Sequence, residues 1–458
     1  MNLEAIKSVY FIGIGGIGMS AIARYFNTEG KEIYGYDKVA SSLTKKLVEE
    51  GMTIHYDAAV EHIPTGIDLV VYTPAVGEDN VELAYFRTHD FVIKKRAAVL
   101  GMISQQKRMI AIAGTHGKTT TSTITAHLLK TGGIDCTAFL GGIANNFASN
   151  FVAGTGAWVV AEADEYDRSF LQLNPEIALV LSMDADHLDI YGNENSVRDS
   201  FKAFTKKVKP NGKVFLRNGL TINYDKNDMD TMPHRNIDFS SFGVEDGLYR
   251  AEDIKVSDGH MVFNFVNPIE QIENIRFPLP GRHNVENASA AITIALQLGI
   301  SGAMIKKGLA SFKGIKRRFE IVYQSAERVY VDDYAHHPVE LQAAIRAAKQ
   351  FFPGKKVTGI FQPHLFSRTQ DFATEFAAAL DELDEVLLMD IYPAREIAIP
   401  GVTSDLILKQ MKQKNKRIVS KAELLSVLKT KEIEVLISLG AGDIGTFVSA
   451  IKNQLVHE

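Results

Sequence analysis

Ten residues, Ala113 to Ser122 (AGTHGKTTTS), hold the groups that a polyphosphate needs. An apolar run precedes them and a helical pattern follows, so the segment reads as a strand, a tight turn and a helix start. Gly114 and Gly117 let backbone N–H groups converge on a phosphate, and the helix that begins near Lys118 points the positive end of its dipole at the same place. Lys118 adds a cation, and the hydroxyl of Thr119 is placed to ligate the Mg²⁺ that travels with ATP. Thr115, His116 and Thr120 complete the candidate nucleotide contacts. Ile112 stands where the general pattern G-x-x-x-x-G-K-[ST] has its first glycine, so the loop is a variant. A glycine-rich turn with an incidental lysine is the structural alternative.

Other strand ends carry groups that fit the same chemistry. In VVAEADEYDRSF, Glu162 falls near the end of a buried strand, where a carboxylate can ligate Mg²⁺ beside a phosphate-loop hydroxyl. An ordinary acidic loop is the alternative there. MDADHLDIYG ends another strand with Asp184, Asp186, His187 and Asp189. A lone histidine is more often packed or at the surface, but one amid carboxylates at the carboxyl end of a parallel strand can hold a second metal. Two Mg²⁺ sites would neutralise a triphosphate and an incoming carboxylate together, which favours activation of an acid over simple ATP hydrolysis. Near the N-terminus, Gly13, Gly15 and Gly18, with Gly16 between them, spell G-x-G-x-x-G after a strand, and Asp37 ends a later strand at the expected place of a ribose-binding acid. Alone, that pattern describes a nicotinamide-dependent dehydrogenase, which leaves the Lys118 loop unexplained. A non-catalytic ATP-binding module is a further alternative.

These residues need parallel sheets to position them, and the sequence supplies the pattern three times: β-branched runs emptying into glycine or acidic loops, then helices. The first block runs to about Gln106, with strands in SVYFIGIGG, EIYGYD and DLVVYTPA. The second starts at RMIAIAG and includes AWVVAEAD and EIALVLSMDAD. Short alternating segments from Val214 to Phe277 are expected to form an antiparallel patch, followed by the helix HNVENASAAITIALQLG. A basic turn, KGIKRRFE, marks a boundary near Gly314. The third block holds RVYVDDYAHHP, KVTGIFQPHLFSRT, EVLLMDIYPARE and EVLISLGAGDIGTF. The expected architecture is α/β in three domains: 1–106, Rossmann-like; 107–314, a phosphate-loop domain of mostly parallel sheet with a small antiparallel patch; and 315–458, Rossmann-like.

Composition agrees with that picture. A chain of 458 residues with 46% hydrophobic and 23% charged residues is ordinary globular material for two or three cores. A net charge of −5 gives no electrostatic reason to expect nucleic acid or an anionic membrane as a partner. The single Cys136 rules out an intrachain disulfide, fits a reducing compartment and is expected to be a free buried thiol. No secretion signal and no 18-residue apolar run is visible, so a soluble, cytoplasmic protein without membrane insertion is expected. Nothing in the sequence specifies an oligomeric state.

GTHGKTTT, EADEYDRSF, DADHLDIYG, GRHNVENASAA, RRFE and DDYAHHP, in this order and after FIGIGGIGMSAIA, resemble the Mur ligase family, the ATP-dependent amide-forming enzymes of peptidoglycan precursor synthesis. The resemblance covers essentially the whole chain and points to the alanine-adding branch. It implies that the Gly13–Gly18 loop receives the diphosphate of UDP-N-acetylmuramate, and that the lactyl carboxylate of that substrate becomes an acyl phosphate before the amine of L-alanine attacks it. By the same resemblance, Lys118 and Thr119 serve ATP and Mg²⁺, Glu162 and His187 are metal ligands, and Asn284 and Asn287 lie on the adenine side. Arg318 reaches the phosphates, Asp333 lies near the ribose, and Tyr334, His336 and Arg368 lie near the amino acid. The C-terminal domain is implied to close on the nucleotide. In the plain reading, His336 and His337 only cap a loop before Pro338. Leu365 follows His364 where some alanine ligases carry arginine, which leaves Arg368 without that second cation. Lys202 sits near the place of a carbamylated lysine in other branches and is read as an exposed helical lysine. The recycling ligase that attaches a tripeptide to UDP-N-acetylmuramate is the near alternative. Folylpolyglutamate synthase shares the central domain but lacks the N-terminal one.

Overall fold

The computed structural model describes residues 3–184, 188–225, 236–394 and 396–457. They form two compact units, one of Met1–Ala251, Phe265–Ile272 and Asn287–Ser311, the other of Glu252–Asn264, Glu273–Glu286 and Phe312–Glu458.

The first unit opens with a five-stranded parallel sheet. Its strands are β1 (Ser8–Ile12), β2 (Glu32–Tyr36), β3 (Thr53–His55), β4 (Leu69–Tyr72) and β5 (Ile93–Lys95), in the order β3-β2-β1-β4-β5. All five residues of β1 are buried, as a central strand covered on both faces requires. Helices α1 (Ile17–Thr28), α2 (Ser42–Glu49) and α3 (Val81–Thr88) lie between successive strands, and α4 (Arg96–Gln106) follows β5. The strand order reverses at β1, with β2 and β3 on one side and β4 and β5 on the other, so the loop after β1 opens at the switch point where such sheets take ligands.

A second sheet in the same unit is built on β6 (Arg108–Ala113), which feeds α5 (Lys118–Thr131), then β7 (Cys136–Ala144), β8 (Ser149–Val152), β9 (Trp158–Ala163) and β10 (Ile177–Val180). After α6 (Leu188–Tyr191) and α7 (Glu194–Thr205) come β11 (Lys213–Arg217) and β12 (Asp238–Val244), and the order is β12-β11-β10-β6-β9-β7-β8. Only β8 runs antiparallel. One apolar cluster extends from Leu3 to Val214, so the two sheets share a core. Tyr25 of α1 meets Phe139 of β7 at 5.7 Å between ring centroids, and the buried Asn150 of β8 donates to Ile17 O (2.6 Å) and Ser20 Oγ (2.9 Å) while accepting from Arg24.

The antiparallel patch begins later than the sequence suggests. β11 and β12 extend the parallel order, since Val214 to Leu216 and their partners in β10 run the same way. Alternation had suggested otherwise because a strand with one partly wet face alternates whichever way it runs. β13 (Tyr249–Ser257) begins in parallel pairing with β12, and β14 (His260–Val266) and β15 (Gln271–Phe277) follow as successive neighbours, the two-residue connection from β13 to β14 being that of an antiparallel hairpin. Asp258 and Gly259, at φ 48° and 68°, make the tight turn between the first two. α8 (Arg282–Gln297) and α9 (Gly302–Ala310) follow.

In the second unit the sheet order is β16-β17-β21-β18-β19-β20, with β16 (Glu320–Gln324), β17 (Val329–Asp333), β18 (Val357–Phe361), β19 (Glu385–Leu388), β20 (Lys416–Ile418) and β21 (Val435–Leu439). All pairs are parallel except β16 with β17. Alternate residues of β21 go to different apolar clusters, Val435 and Ile437 to one and Leu436 to another, so both faces are covered. The helices used below are α10 (Pro338–Phe351), α11 (Phe366–Asp371) and α12 (Ala373–Leu380). Cys136 is free and buried, and burial pushes its thiol up to about 12.

Candidate active site

The loop between β6 and α5 has the conformation that its glycines permit. Gly114 and Gly117 stand at φ 141° and 84°, and a Cβ on Gly117 would come within 2.4 Å of Asn287 Oδ1. Thr115 Oγ1 donates to Asp184 O (3.1 Å), and His116 N donates to Ser182 Oγ (2.9 Å), which ties the loop to the end of β10. Thr119 and Thr120 are buried in the first turn of α5. Lys118 Nζ donates to Gly114 O (2.6 Å) and to both oxygens of Glu165, at 2.7 and 3.0 Å. Burial works against its charge, but the carboxylates of Glu165, Asp164 and Glu162 outweigh it and hold the ammonium above its ordinary range.

Glu162 lies one residue from the end of β9, opposite Ile112 of β6. Its Oε1 accepts from Gly141 N (2.5 Å) and from Ser122 Oγ (3.4 Å), so the carboxylate faces the start of α5. A turn whose added side chains would clash, a buried ammonium, a hydroxyl at a helix N-terminus and a facing carboxylate fit a polyphosphate with a hard divalent cation. No cluster of three His, Cys, Asp or Glu residues that could hold a metal occurs among the described residues. A site completed by phosphate oxygens does not need one. His187 and Asp186 lie outside the described residues, whereas Asp184 pairs with His116 at 3.6 Å.

Asn287 Oδ1 accepts from Thr121 Oγ1 (3.2 Å), and Asn284 Nδ2 donates to Pro280 O (2.7 Å); both side chains are buried. Lys202 is on α7 as expected but is partly buried rather than exposed, because its amine reaches Asp225 at 3.1 Å.

At the first glycine loop, Gly13 stands at φ 83°. Asp37 Oδ2 accepts from Gly15 N (2.7 Å) and Oδ1 from Val39 N (3.0 Å), so this acid shapes the loop itself. Gly18 is pressed against Arg96, whose Nη1 would lie 2.8 Å from an added Cβ. Gly16 is the N-cap of α1.

The second unit gathers the C-terminal candidates at the ends of β17 and β18. Arg317 donates to Asp332 Oδ2 (3.1 Å) and Gly440 O (2.6 Å), anchoring the RRFE turn, and its neighbours repeat a strained pattern: Arg317 and Phe319 stand at φ 61° and 45°. Arg318 lies over the Tyr334 ring at 5.2 Å. Asp333 accepts from Phe319 N (2.6 Å) and Ala335 N (2.7 Å). His336 Nδ1 lies 3.0 Å from Tyr334 O and 3.3 Å from Glu340, and its ring is edge-on to His364 at 6.0 Å. Burial, aided by Arg368 and Arg318 against Glu340, lowers the pKa of His336, so the imidazole is neutral near pH 7. His337 is a helix cap, accepting from Val339 N (3.4 Å) before Pro338. Leu365, the N-cap of α11, stands at φ 73°, in the left-handed half of backbone space.

Burial pushes the Asp333 carboxyl up to about 6, against the pull of Arg318 and two backbone amides. The native state then keeps a proton that the unfolded chain loses near pH 4, so stability falls as pH rises from about 4 to 6 and is level above that. Asp333→Asn should lack this slope. Melting of the two proteins at pH 5 and pH 7 checks it, and parallel shifts in both would show that Asp333 titrates as an ordinary carboxylate.

Sequence reasoning missed Arg96, Glu165, Asp164 and Arg317. Each was visible only as one charge in a polar run, with its partner far away in the chain.

Loop, facing carboxylate and doubly wound sheets define a phosphate-loop enzyme of the α/β class. Comparison with known proteins narrows this. Residues 8–108 match the family description "Mur ligase family, catalytic domain", 112–295 "Mur ligase middle domain" and 317–442 "Mur ligase, glutamate ligase domain". A UDP-N-acetylmuramate–L-alanine ligase of Cytophaga hutchinsonii is 48% identical over 461 residues, covering 99% of this chain and 97% of its own. Among solved structures, the UDP-N-acetylmuramate–alanine ligase of Thermotoga maritima superposes with a TM-score of 0.82 at 30% identity, covering 99% of both chains. A murein peptide ligase of Psychrobacter arcticus, at 21% identity and a TM-score of 0.70 over 98% of both chains, shares the fold. The chain belongs to the Mur ligase family, and the dehydrogenase reading of the first glycine loop is set aside. No helix among the described residues is long and apolar enough to cross a membrane.

Proposed function

We infer that the chain joins L-alanine to the lactyl carboxylate of UDP-N-acetylmuramate at the expense of ATP, as an amide-forming ligase of peptidoglycan precursor synthesis. The observation that carries it is the Lys118 loop, seated in a chain that matches an alanine ligase along its full length. The Gly13–Gly18 loop and α1 N-terminus take the diphosphate of the nucleotide sugar. Lys118 draws charge from the γ-phosphate of ATP as the lactyl carboxylate attacks it, giving ADP and an acyl phosphate. Mg²⁺, when bound, neutralises phosphate charge; Thr119 and Glu162 would hold one ion, and His187 would help to hold a second near the substrate carboxylate. Arg318 contributes a second cation to the phosphates and Asp333 a polar contact to the ribose, with Asn284 and Asn287 on the adenine side. Arg368 pairs with the carboxylate of L-alanine, beside Tyr334. Neutral His336 accepts a proton from the incoming ammonium so that the amine can attack the acyl carbon. Phosphate then leaves. Such a reaction belongs in the cytoplasm, where ATP is available.

The test is ADP release by the purified protein with ATP, Mg²⁺ and UDP-N-acetylmuramate, with L-alanine, glycine, L-serine or a tripeptide in separate reactions and mass detection of the product. L-Alanine should give the fastest turnover and a product heavier by one alanyl residue, which would also show that Leu365 does not impair carboxylate recognition. Turnover with the tripeptide alone would move the chain to the recycling branch.

A further inference from the structure

Two cations of the first unit stand at its two glycine loops, and each already holds a carboxylate. Arg96, packed on Gly18 at the first loop, donates from Nη2 to Asp164 Oδ2 at 3.3 Å. Lys118, at the second, pairs with Glu165 at 2.7 Å. The two acids are neighbours in the chain. The segment that carries them is under strain: Asp167 and Arg168 both have left-handed backbones, at φ 52° and 53°, although neither is glycine. Its conformation is held from outside. Lys95 pairs with Asp167 at 3.2 Å, Arg168 lies over the Tyr191 ring at 5.5 Å, and Tyr191 donates from its hydroxyl to Glu165 O at 2.6 Å.

We propose that Asp164 and Glu165 are positioning residues, forming one strap through which diphosphate binding at Arg96 promotes triphosphate binding at Lys118. Phosphate oxygens compete with a single carboxylate for an arginine or a lysine, because they offer more charge and more acceptors. A diphosphate that takes Arg96 releases Asp164. One peptide bond away, Glu165 then loses part of the frame that keeps it on Lys118, and the strained pair at Asp167 and Arg168 gives the segment a means to relax. By linkage, the triphosphate must favour the diphosphate by the same factor. This rests on UDP-N-acetylmuramate as the ligand of the first loop.

Isothermal titration calorimetry tests it, with the Mg²⁺ complex of a non-hydrolysable ATP analogue titrated into the full chain with and without saturating UDP-N-acetylmuramate. In the wild type the analogue should bind at least about 5-fold tighter in the presence of the sugar nucleotide. In Asp164→Asn that ratio should fall towards one. In Glu165→Gln the analogue alone should bind more tightly than to the wild type, because its intramolecular competitor is neutral. Independent binding of both ligands to the wild type would overturn the proposal, as would an undiminished ratio in Asp164→Asn. A protein that fails to bind UDP-N-acetylmuramate would instead sink the substrate assignment, and the Glu165→Gln comparison would then decide the strap on ATP alone: unchanged affinity overturns it.

Discussion

Lys118→Met lowers ADP formation by a factor of about 10² to 10³ or more and leaves UDP-N-acetylmuramate binding within a few-fold of wild type. The factor follows from removing one preorganised cation aimed at charge that develops in the transition state. The retained binding follows from the proposed seat of the diphosphate at the glycine loop after β1, which is a different loop from that of Lys118. The same substitution has a structural consequence that must be separated from the chemical one. The side chains of Lys118 and Glu165 are 15% and 4% exposed, so methionine leaves a buried carboxylate without its cation, a change that costs about 3–5 kcal/mol in comparable pairs. Lys118→Met combined with Glu165→Gln removes both charges and should recover much of that stability. If the double variant melts near wild type but still makes no ADP, Lys118 acts on the phosphates. Recovered turnover would mean that Lys118 mattered only as a partner for Glu165.

The parts of this site legible in the sequence are those that depend on a few consecutive residues. A turn that needs positive φ selects glycine, so Gly13, Gly114 and Gly117 announced their loops, and the buried β-branched runs before them announced the strands. Glu162 was legible because a strand that is buried throughout has little use for a carboxylate except at its end. Strand direction was less visible. β8 and β16 are antiparallel edge strands, whereas β11 and β12 are interior strands in parallel pairing, yet β11, β12 and β16 all mix buried and partly exposed positions, so their patterns do not tell direction.

Pairings over long separations were not legible at all. Arg96 and Asp164 are 68 residues apart, and Lys118 and Glu165 are 47 apart. Nothing in KKRAAV or EADEYDRSF says which charge meets which, because ion pairs are chosen by the packing of the sheets that carry them. The same cause explains Asp37. Its position after β2 fitted a ribose-binding acid, but the register of β2 beside β1 brings its carboxylate to Gly15 N, and it holds the glycine loop in shape. RRFE shows the reverse case: two identical residues in sequence both lie against the Tyr334 ring, at 5.1 and 5.2 Å, but Arg317, at a left-handed turn, also bonds Asp332 and Gly440.

Glu162→Gln is the companion test on the opposite side of the phosphate loop. Glutamine keeps the shape and one carbonyl oxygen, so the contacts from Gly141 N and Ser122 Oγ can persist and the join between β7, β9 and α5 should survive. What disappears is the negative charge. A hard divalent cation selects anionic oxygen, and a neutral amide oxygen is a weaker donor in the same place. Turnover should therefore fall by about 10²-fold or more, and the Mg²⁺ concentration for half-maximal rate should rise. Melting temperature should move little, in contrast to Lys118→Met, because Lys118 keeps its ion pair with Glu165. Rates measured across a Mg²⁺ titration separate the two explanations of this carboxylate. If the variant loses activity with an unchanged Mg²⁺ midpoint, Glu162 serves as an anchor for Gly141 and the metal is held by other groups; if the midpoint rises, the acid that ends β9 is a ligand.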